Sequence, residues 1–193
     1  ETVVRYIREE DPDKNAFTTI GTDLLRTSSS NPVNPNKPAQ KISGEIVEAA
    51  GYNYNRGESF DSQHEAYPDM PIYGSETSSS TQSRGIYHFP PEINSTSSPD
   101  RQCSSYGNSV MLQYAHGIED AWKWDRDRKF VLGSFIWTGF DYLGEPSPFG
   151  GNNTSFFGAV DTAGIPKDAF YFYKSVWGDE PVLHLFPYCC LLY

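Results

Sequence analysis

The sequence predicts an α/β fold in which a parallel sheet is covered by helices. Short apolar, β-branched runs alternate with stretches of helical periodicity, the pattern of strand–helix units. The longest such run, Phe130 to Phe140 (FVLGSFIWTGF), is almost continuously apolar, as in a strand buried on both faces. The 193 residues also suffice for one domain with a sizeable core. Two architectures fit: an open doubly wound sheet, or part of a (β/α)8 barrel. A whole barrel takes about 250 residues, so the strand–helix units here amount to about half of one.

The elements follow in order. Val3, Val4 and Ile7 recur at helical spacing and predict a helix ending near Asp11 and Pro12. Ala16 to Gly21 (AFTTIG) predicts a first strand. Residues 27–42 are rich in Ser, Asn and Pro and lack periodicity, which predicts an irregular insertion rather than a linker between folded domains. Ile46 to Tyr54 predicts a second strand, and Phe60 to Tyr67 a short helix stopped by Pro68. Pro71 to Ser75 predicts a third strand with Glu76 at its C-terminal end. The polar stretch from Thr77 to Gln102 is expected to cross the surface. A long helix is expected to start near Ser105, with Val110, Tyr114, Ile118 and Trp122 on one face. Phe130 to Phe140 is the fourth strand. Pro166 sits where a first helical turn begins, and Ala169, Phe172, Tyr173 and Val176 form the inner face of a last helix.

Charge and motifs narrow the function. A net charge of −10 and a pI near 4.8 repel phosphate backbones, so nucleic acid is excluded as a partner. No run of 18 apolar residues occurs, so no membrane-spanning helix is expected. Cys103, Cys189 and Cys190 form neither a disulfide framework nor a metal-ligand spacing, so no metal or cofactor is expected, and the compartment stays open between cytoplasm and secretion. There is no Gly-rich phosphate loop of either common kind, which argues against a nucleotide-binding α/β domain.

In a barrel, functional groups gather at the C-terminal ends of strands. Those ends carry Asn53 and Tyr54, then Glu76, then Trp137, Asp141 and Glu145. A carboxylate, a phenol, an indole and an amide on one rim suit carbohydrate chemistry. An oxocarbenium-like transition state needs a carboxylate on one face of the sugar and a proton donor beside the leaving group. The 13 Tyr, 12 Phe and 4 Trp residues serve core packing first, and some can stack on a sugar. His64 and His88 read as structural, His88 as a loop anchor.

The local words are more specific. Tyr73-Gly-Ser-Glu-Thr-Ser-Ser79, Ser83-Arg-Gly-Ile-Tyr-His-Phe-Pro90, Phe135-Ile-Trp-Thr-Gly-Phe-Asp-Tyr-Leu-Gly-Glu-Pro146 and Phe157-Gly-Ala-Val-Asp-Thr-Ala-Gly-Ile-Pro-Lys167 occur in that order. Together they resemble glycoside hydrolase family 2, and most closely its bacterial β-galactosidase type. The resemblance implies that residues 1–180 are the C-terminal half of the catalytic (β/α)8 barrel, approximately strands five to eight with their helices. It implies that Glu76 is the nucleophile of a retaining hydrolysis of terminal β-galactosides, forming a covalent glycosyl-enzyme. It implies further that Tyr54 hydrogen-bonds that nucleophile and that Trp137 floors the sugar subsite. Asn53, Asp141 and Glu145 become hydroxyl ligands or residues that orient them.

A β-glucuronidase-type relative and a non-catalytic carbohydrate-binding remnant are the alternatives. The lack of a basic cluster around Asn53 and Tyr54 favours a neutral sugar over a uronate. In the family, the acid/base carboxylate ends a strand upstream of the helix that here starts at Glu1. The isolated chain is therefore expected to be inactive and to need the N-terminal half of the barrel as a partner, or to self-associate through exposed sheet edges. Residues 181–193 are expected to start a following domain or to form an aberrant tail, because Tyr188-Cys-Cys-Leu-Leu-Tyr193 departs from the family pattern.

Overall fold

The computed structural model describes residues 1–25, 33–34, 36–88, 100–106, 112 and 114–186. The chain divides into two compact units, Glu1–Thr77 with Ala121–Phe135, and Ser78–Asp120 with Ile136–Tyr193. Four strands form one sheet in the order β1–β2–β3–β4: β1 (Thr19–Thr22), β2 (Ala49–Asn53), β3 (Ile72–Ser78) and β4 (Val131–Trp137). The sheet is parallel, with Thr19 opposite Ala49 and Ala50 opposite Ile72.

In the first unit, helix α1 (Thr2–Glu10) ends at Asp11, whose carboxylate accepts the backbone N–H groups of Asn15 and Ala16 at 3.0 and 3.1 Å. That turn takes Ala16 out of the ladder, so the first strand starts at Thr19 rather than Ala16. Glu48 receives the Thr18 N–H at 2.8 Å just before the strand starts. The insertion predicted at 27–42 is helical at its end: α2 (Pro38–Lys41) runs into a π-type turn, Ile42–Ile46. Pro38 opens that helix with φ already set. Residues 26–32 and 35 of this segment lie outside the described residues. Helix α3 (Gly57–Ala66) ends just before Tyr67 and Pro68.

Alternation along the strands builds the core of this unit. Leu25, Ala50, Tyr52, Phe60, Ile72 and Val131 are buried together, with Met70, Trp124 and Phe130 packed against them. Burying each such apolar side chain contributes about 1.5–3 kcal/mol. Tyr52 meets Phe60 edge-on at 5.2 Å, and burial pushes its phenol well above the ordinary tyrosine range. The apolar run of β4 is covered on one side only. Val131 is buried, whereas Leu132 and Phe135 are 71% and 67% exposed, which corrects the expectation of a strand buried on both faces. The break in alternation falls at Gly133, whose φ of 139° lies in a region open to glycine. Leu132 and Phe135 flank an apolar concavity of about 410 Å³ with Phe17, Ala49 and Tyr73.

The second unit corrects two further expectations. The polar stretch after Thr77 does not begin on the surface: Ser78 to Ser83 are all buried. Backbone groups satisfy part of it, since the Gln82 N–H donates to Phe156 O at 2.8 Å and Ser78 Oγ donates to His116 O at 3.0 Å, whereas the buried Ser79 hydroxyl has no partner among the described residues. Ser78 and Ser79 both hold left-handed backbone conformations. The helix expected near Ser105 starts instead at Ile118: α4 runs Ile118–Arg126, with Glu119 and Asp120 favouring its first turn. Tyr114 lies in a turn before it, and Val110 is outside the described residues. Helix α5 (Asp168–Trp177) buries Ala169 and Tyr173 against Ile118 and Ala159, just beyond Pro166 as expected. His184 stacks on Tyr171 at 3.9 Å and bonds Asp168 at 2.6 Å, holding the segment after α5. Residues 187–193 of the predicted tail lie outside the described residues.

Candidate active site

Glu76 lies near the C-terminal end of β3, within the strand rather than just past it. Two bonds from Tyr54, the first residue beyond β2, fix it. The Tyr54 N–H donates to Glu76 O at 2.7 Å, and the Tyr54 hydroxyl donates to Glu76 Oε2. Tyr54 takes a left-handed conformation, φ 55°, to do this. A side-chain-bearing residue in that region costs about 1–3 kcal/mol, a cost the surrounding structure must offset.

The strand register changes at this point. Tyr52 stands opposite Gly74, but Asn53 stands opposite Glu76, so Ser75 is an extra residue with no partner on β2. Bulges of this kind re-aim side chains and are frequent beside active sites. The Ser75 hydroxyl donates to Asn53 Oδ1 at 2.6 Å. Room for it comes from Gly51, where a Cβ would stand 2.9 Å from Ser75 Oγ and from Tyr73 Oη. Asn53 and Glu76 are both half-buried. Asn53, Tyr54 and Glu76 are thus brought together in the first unit. Ser75 was missed by sequence reasoning, because a serine one residue before the carboxylate carries no periodic or compositional signal.

The remaining predicted residues belong to the second unit. Trp137 ends β4, and its Nε1–H donates to Tyr142 Oη at 3.3 Å. Tyr142 is held in turn by Ser155, through its own N–H to Ser155 Oγ at 3.1 Å and the Ser155 N–H to Tyr142 O at 2.9 Å. The Trp137–Thr138 peptide is cis. Residues 138–141 pair with 157–160, Thr138 N–H donating to Phe157 O and Asp141 N–H to Val160 O. Asp141 has both carboxylate oxygens engaged. Lys167 Nζ lies 2.8 Å from Oδ1 and 2.7 Å from Oδ2, and the Gly158 N–H donates to Oδ1 at 2.7 Å. Glu145 is exposed. His88 bonds Asp100 at 3.1 Å, and His64 stacks on Phe130 at 4.0 Å.

Lys167 is the second residue that sequence reasoning missed. Its side chain is 1% exposed and that of Asp141 6%. Burial pushes the Asp141 carboxyl up and the Lys167 ammonium down, and each charge opposes the other's shift. The three donors of an ammonium are matched, because Gln82 O at 2.7 Å and Phe156 O at 3.5 Å accept beside Asp141. Among the described residues, no group of three or more His, Cys, Asp or Glu side chains is placed to hold a metal ion. Among the described residues, no helix is long and apolar enough to cross a membrane.

Comparisons with known proteins point one way. No family model matches the sequence. A β-galactosidase of Bacteroides ovatus is 35% identical over 178 residues, 87% of this chain and 21% of that enzyme. A putative β-glucuronidase of Formosa agariphila is 40% identical over 88 residues, 44% of this chain and 8% of that protein. Among solved structures, a β-glycosidase from Bacteroides vulgatus matches 76% of the chain with a TM-score of 0.61 and 26% identity, over 22% of its own length. The Bacteroides uniformis β-glucuronidase matches 95% of the chain with a TM-score of 0.63, at 19% identity and over 20% of its length, which shows the fold alone. The chain thus spans about a fifth of the length of each of these Bacteroides enzymes.

Proposed function

Because the chain is a relative of the family 2 glycoside hydrolases, whose members compared above act on O-glycosyl bonds, we propose that it forms the C-terminal half of a (β/α)8 barrel and carries the nucleophile of a retaining β-glycosidase. The observation that carries this reading is the Glu76 carboxylate near the end of a parallel strand, held by Tyr54 through both backbone and hydroxyl. A carboxylate that attacks the anomeric carbon must be oriented and ionised. A phenol donating to one oxygen fixes that orientation. Attack by Glu76 forms a glycosyl ester while the leaving group takes a proton. Water then cleaves the ester, with net retention. The proton donor is a second carboxylic acid about 5 Å from the nucleophile, and we place it outside these 193 residues. The chain alone is then inactive.

Trp137 serves as a stacking platform for the sugar, braced by Tyr142. Asp141, with both oxygens engaged by Lys167 and Gly158, orients that loop, and Glu145 reaches the substrate from the exposed segment beyond. The favoured substrate is a terminal β-galactoside, as the name of the Bacteroides ovatus relative suggests. A glucuronide is the second reading, because a Bacteroides fragilis relative, 30% identical over 136 residues, is a β-glucuronidase. In the full-length enzyme, Glu76→Gln abolishes nearly all turnover, azide restores part of a Glu76→Ala variant's activity as the glycosyl azide, and an activated fluoro-sugar labels Glu76 in the parent. Near-normal turnover of Glu76→Gln overturns the assignment.

A further inference from the structure

Resting on the stacking role given to Trp137 above, we propose that Ser155 is a positioning residue for that role: through Tyr142 it sets the plane of the indole that receives the sugar.

Three side chains of the second unit form the line of contacts. An indole has one polar atom, a donor, so a single hydrogen bond decides between orientations that apolar packing leaves close in energy. In Trp137 that donor goes to Tyr142 Oη at 3.3 Å, and the two rings meet edge to face, 6.0 Å apart at 78°. Both are half-buried. Trp137 ends β4 and is held by the strand, whereas Tyr142 opens a turn whose next residues, Leu143 to Glu145, are exposed. The phenol can orient the indole only if Tyr142 does not share the freedom of that turn.

Ser155 removes that freedom. The Tyr142 N–H donates to Ser155 Oγ at 3.1 Å, the Ser155 N–H donates to Tyr142 O at 2.9 Å, and the Thr154 hydroxyl donates to the same carbonyl at 3.1 Å. Further on, the Phe156 N–H donates to Ser147 O at 2.9 Å and closes the turn. The Tyr142 ring lies along buried Phe157, 18° from parallel. Ser155 is 0% exposed, so water does not take the place of a lost Oγ. Deleting that hydroxyl frees the Tyr142 N–H while both bonds to the Tyr142 carbonyl remain. The expected response is a tilt of Tyr142, and of the indole behind it, rather than loss of the turn. Stacking is sensitive to tilt, because a gap of about 0.5–1 Å forfeits a quarter to a half of a dispersion contact. A fixed indole also reduces the ordering cost of binding. Its face meets the sugar in the ground state and the transition state alike, so loss of its plane raises KM and leaves kcat nearly unchanged.

The test is steady-state kinetics of the full-length enzyme with whichever nitrophenyl β-glycoside, galactoside or glucuronide, it cleaves faster. Tyr142→Phe deletes the oxygen and keeps the ring; it is expected to raise KM about fivefold, the loss of one hydrogen bond between neutral groups. Ser155→Ala is expected to raise KM about threefold. In the Trp137→Ala background neither substitution is expected to add to KM, because both act through the indole. Persistence of either loss in that background overturns the proposal, since a merely structural role does not need Trp137. So does a fall in kcat at constant KM, or an unchanged KM in either single variant. Should Ser155→Ala not fold, Ser155→Cys, with a side chain of similar shape and a weaker acceptor, is read by the same criteria. Trp137→Ala is the control on the premise. If it leaves KM unchanged, the stacking role fails and takes this proposal with it, whereas a raised KM there with an unaffected Tyr142→Phe overturns the positioning roles alone.

Discussion

Replacing Lys167 with methionine tests the buried ion pair of the second unit directly. The stem of methionine fills most of the same space, so the change removes a charge and its three donors rather than volume. Two acceptors lose their nearest partner, Gln82 O at 2.7 Å and the Asp141 carboxylate at 2.7–2.8 Å, and Asp141 keeps only the Gly158 N–H. Breaking one side of a buried pair costs about 3–5 kcal/mol, and that is the loss expected at pH 7. The loss depends on pH in a definite direction. Burial already raises the Asp141 pKa, and Lys167 is the largest opposing influence, so the variant's carboxyl rises further. A carboxyl whose folded pKa exceeds its unfolded value stabilises the fold below the unfolded pKa, and that stability is lost as pH rises through the folded one. Between the two, the variant loses about 1.4 kcal/mol per pH unit. Urea unfolding followed by near-ultraviolet circular dichroism, at pH 4.5 and pH 7 with the m-value checked for constancy, measures both numbers. Adding Asp141→Leu to Lys167→Met should recover most of the deficit, because an apolar pair leaves no buried charge. A deficit below about 1 kcal/mol at pH 7, set against the expected cost of an orphaned charge, or a deficit equal at both pH values, refutes the reasoning.

Two further outcomes follow from the surface. Asp161 accepts from Arg84 Nε at 2.6 Å and from the Ala163 and Ile165 N–H groups, and these hold its carboxyl below the ordinary range. Its contribution is complete above the unfolded carboxylate pKa and disappears as pH falls through the depressed folded value, so Asp161→Asn lowers the unfolding midpoint at pH 6 and does so less as the solution is acidified. The exposed apolar side chains of β4 are expected to promote association of this chain, so sedimentation velocity should show that Leu132→Asp with Phe135→Asp shifts the chain toward monomer; unchanged sedimentation of the double variant counts against that role for β4.

The strands themselves were legible from their apolar and alternating runs, as where Ile72 and Gly74 are buried and Tyr73 and Ser75 less so. Their ends were legible only to within a few residues, since β1 starts at Thr19 and β3 runs on past Glu76 to Ser78. Other features were illegible for separate physical reasons. Ser75 acts through a register slip, and a slip belongs to a pair of strands rather than to one segment. Lys167 reads as a surface lysine until Asp141, 26 residues earlier, is placed against it. The buried run Ser78 to Ser83 defeats hydropathy because partners such as His116 O for Ser78 and Phe156 O for the Gln82 N–H lie far away in sequence. The continuous apolar run of β4 encodes cover on two faces, and this chain supplies it on one.

That buried run has a consequence for anyone redesigning the enzyme. Segments after strand ends are the usual place to graft new specificity, since loops tolerate length changes when their backbone is exposed and unbonded. Here the residues after Glu76 are neither. Ser78 and Ser79 hold left-handed conformations, His116 N–H donates to Ser78 O at 2.7 Å, and Gln82 N–H donates to Phe156 O. An inserted residue anywhere from Ser78 to Ser83 would shift polar groups out of reach of their partners in a place water does not enter. The first position open to grafting is past Arg84, at exposed Gly85 with its own left-handed φ of 72° and clear space around it, so the rim can be re-tailored only from that point outward.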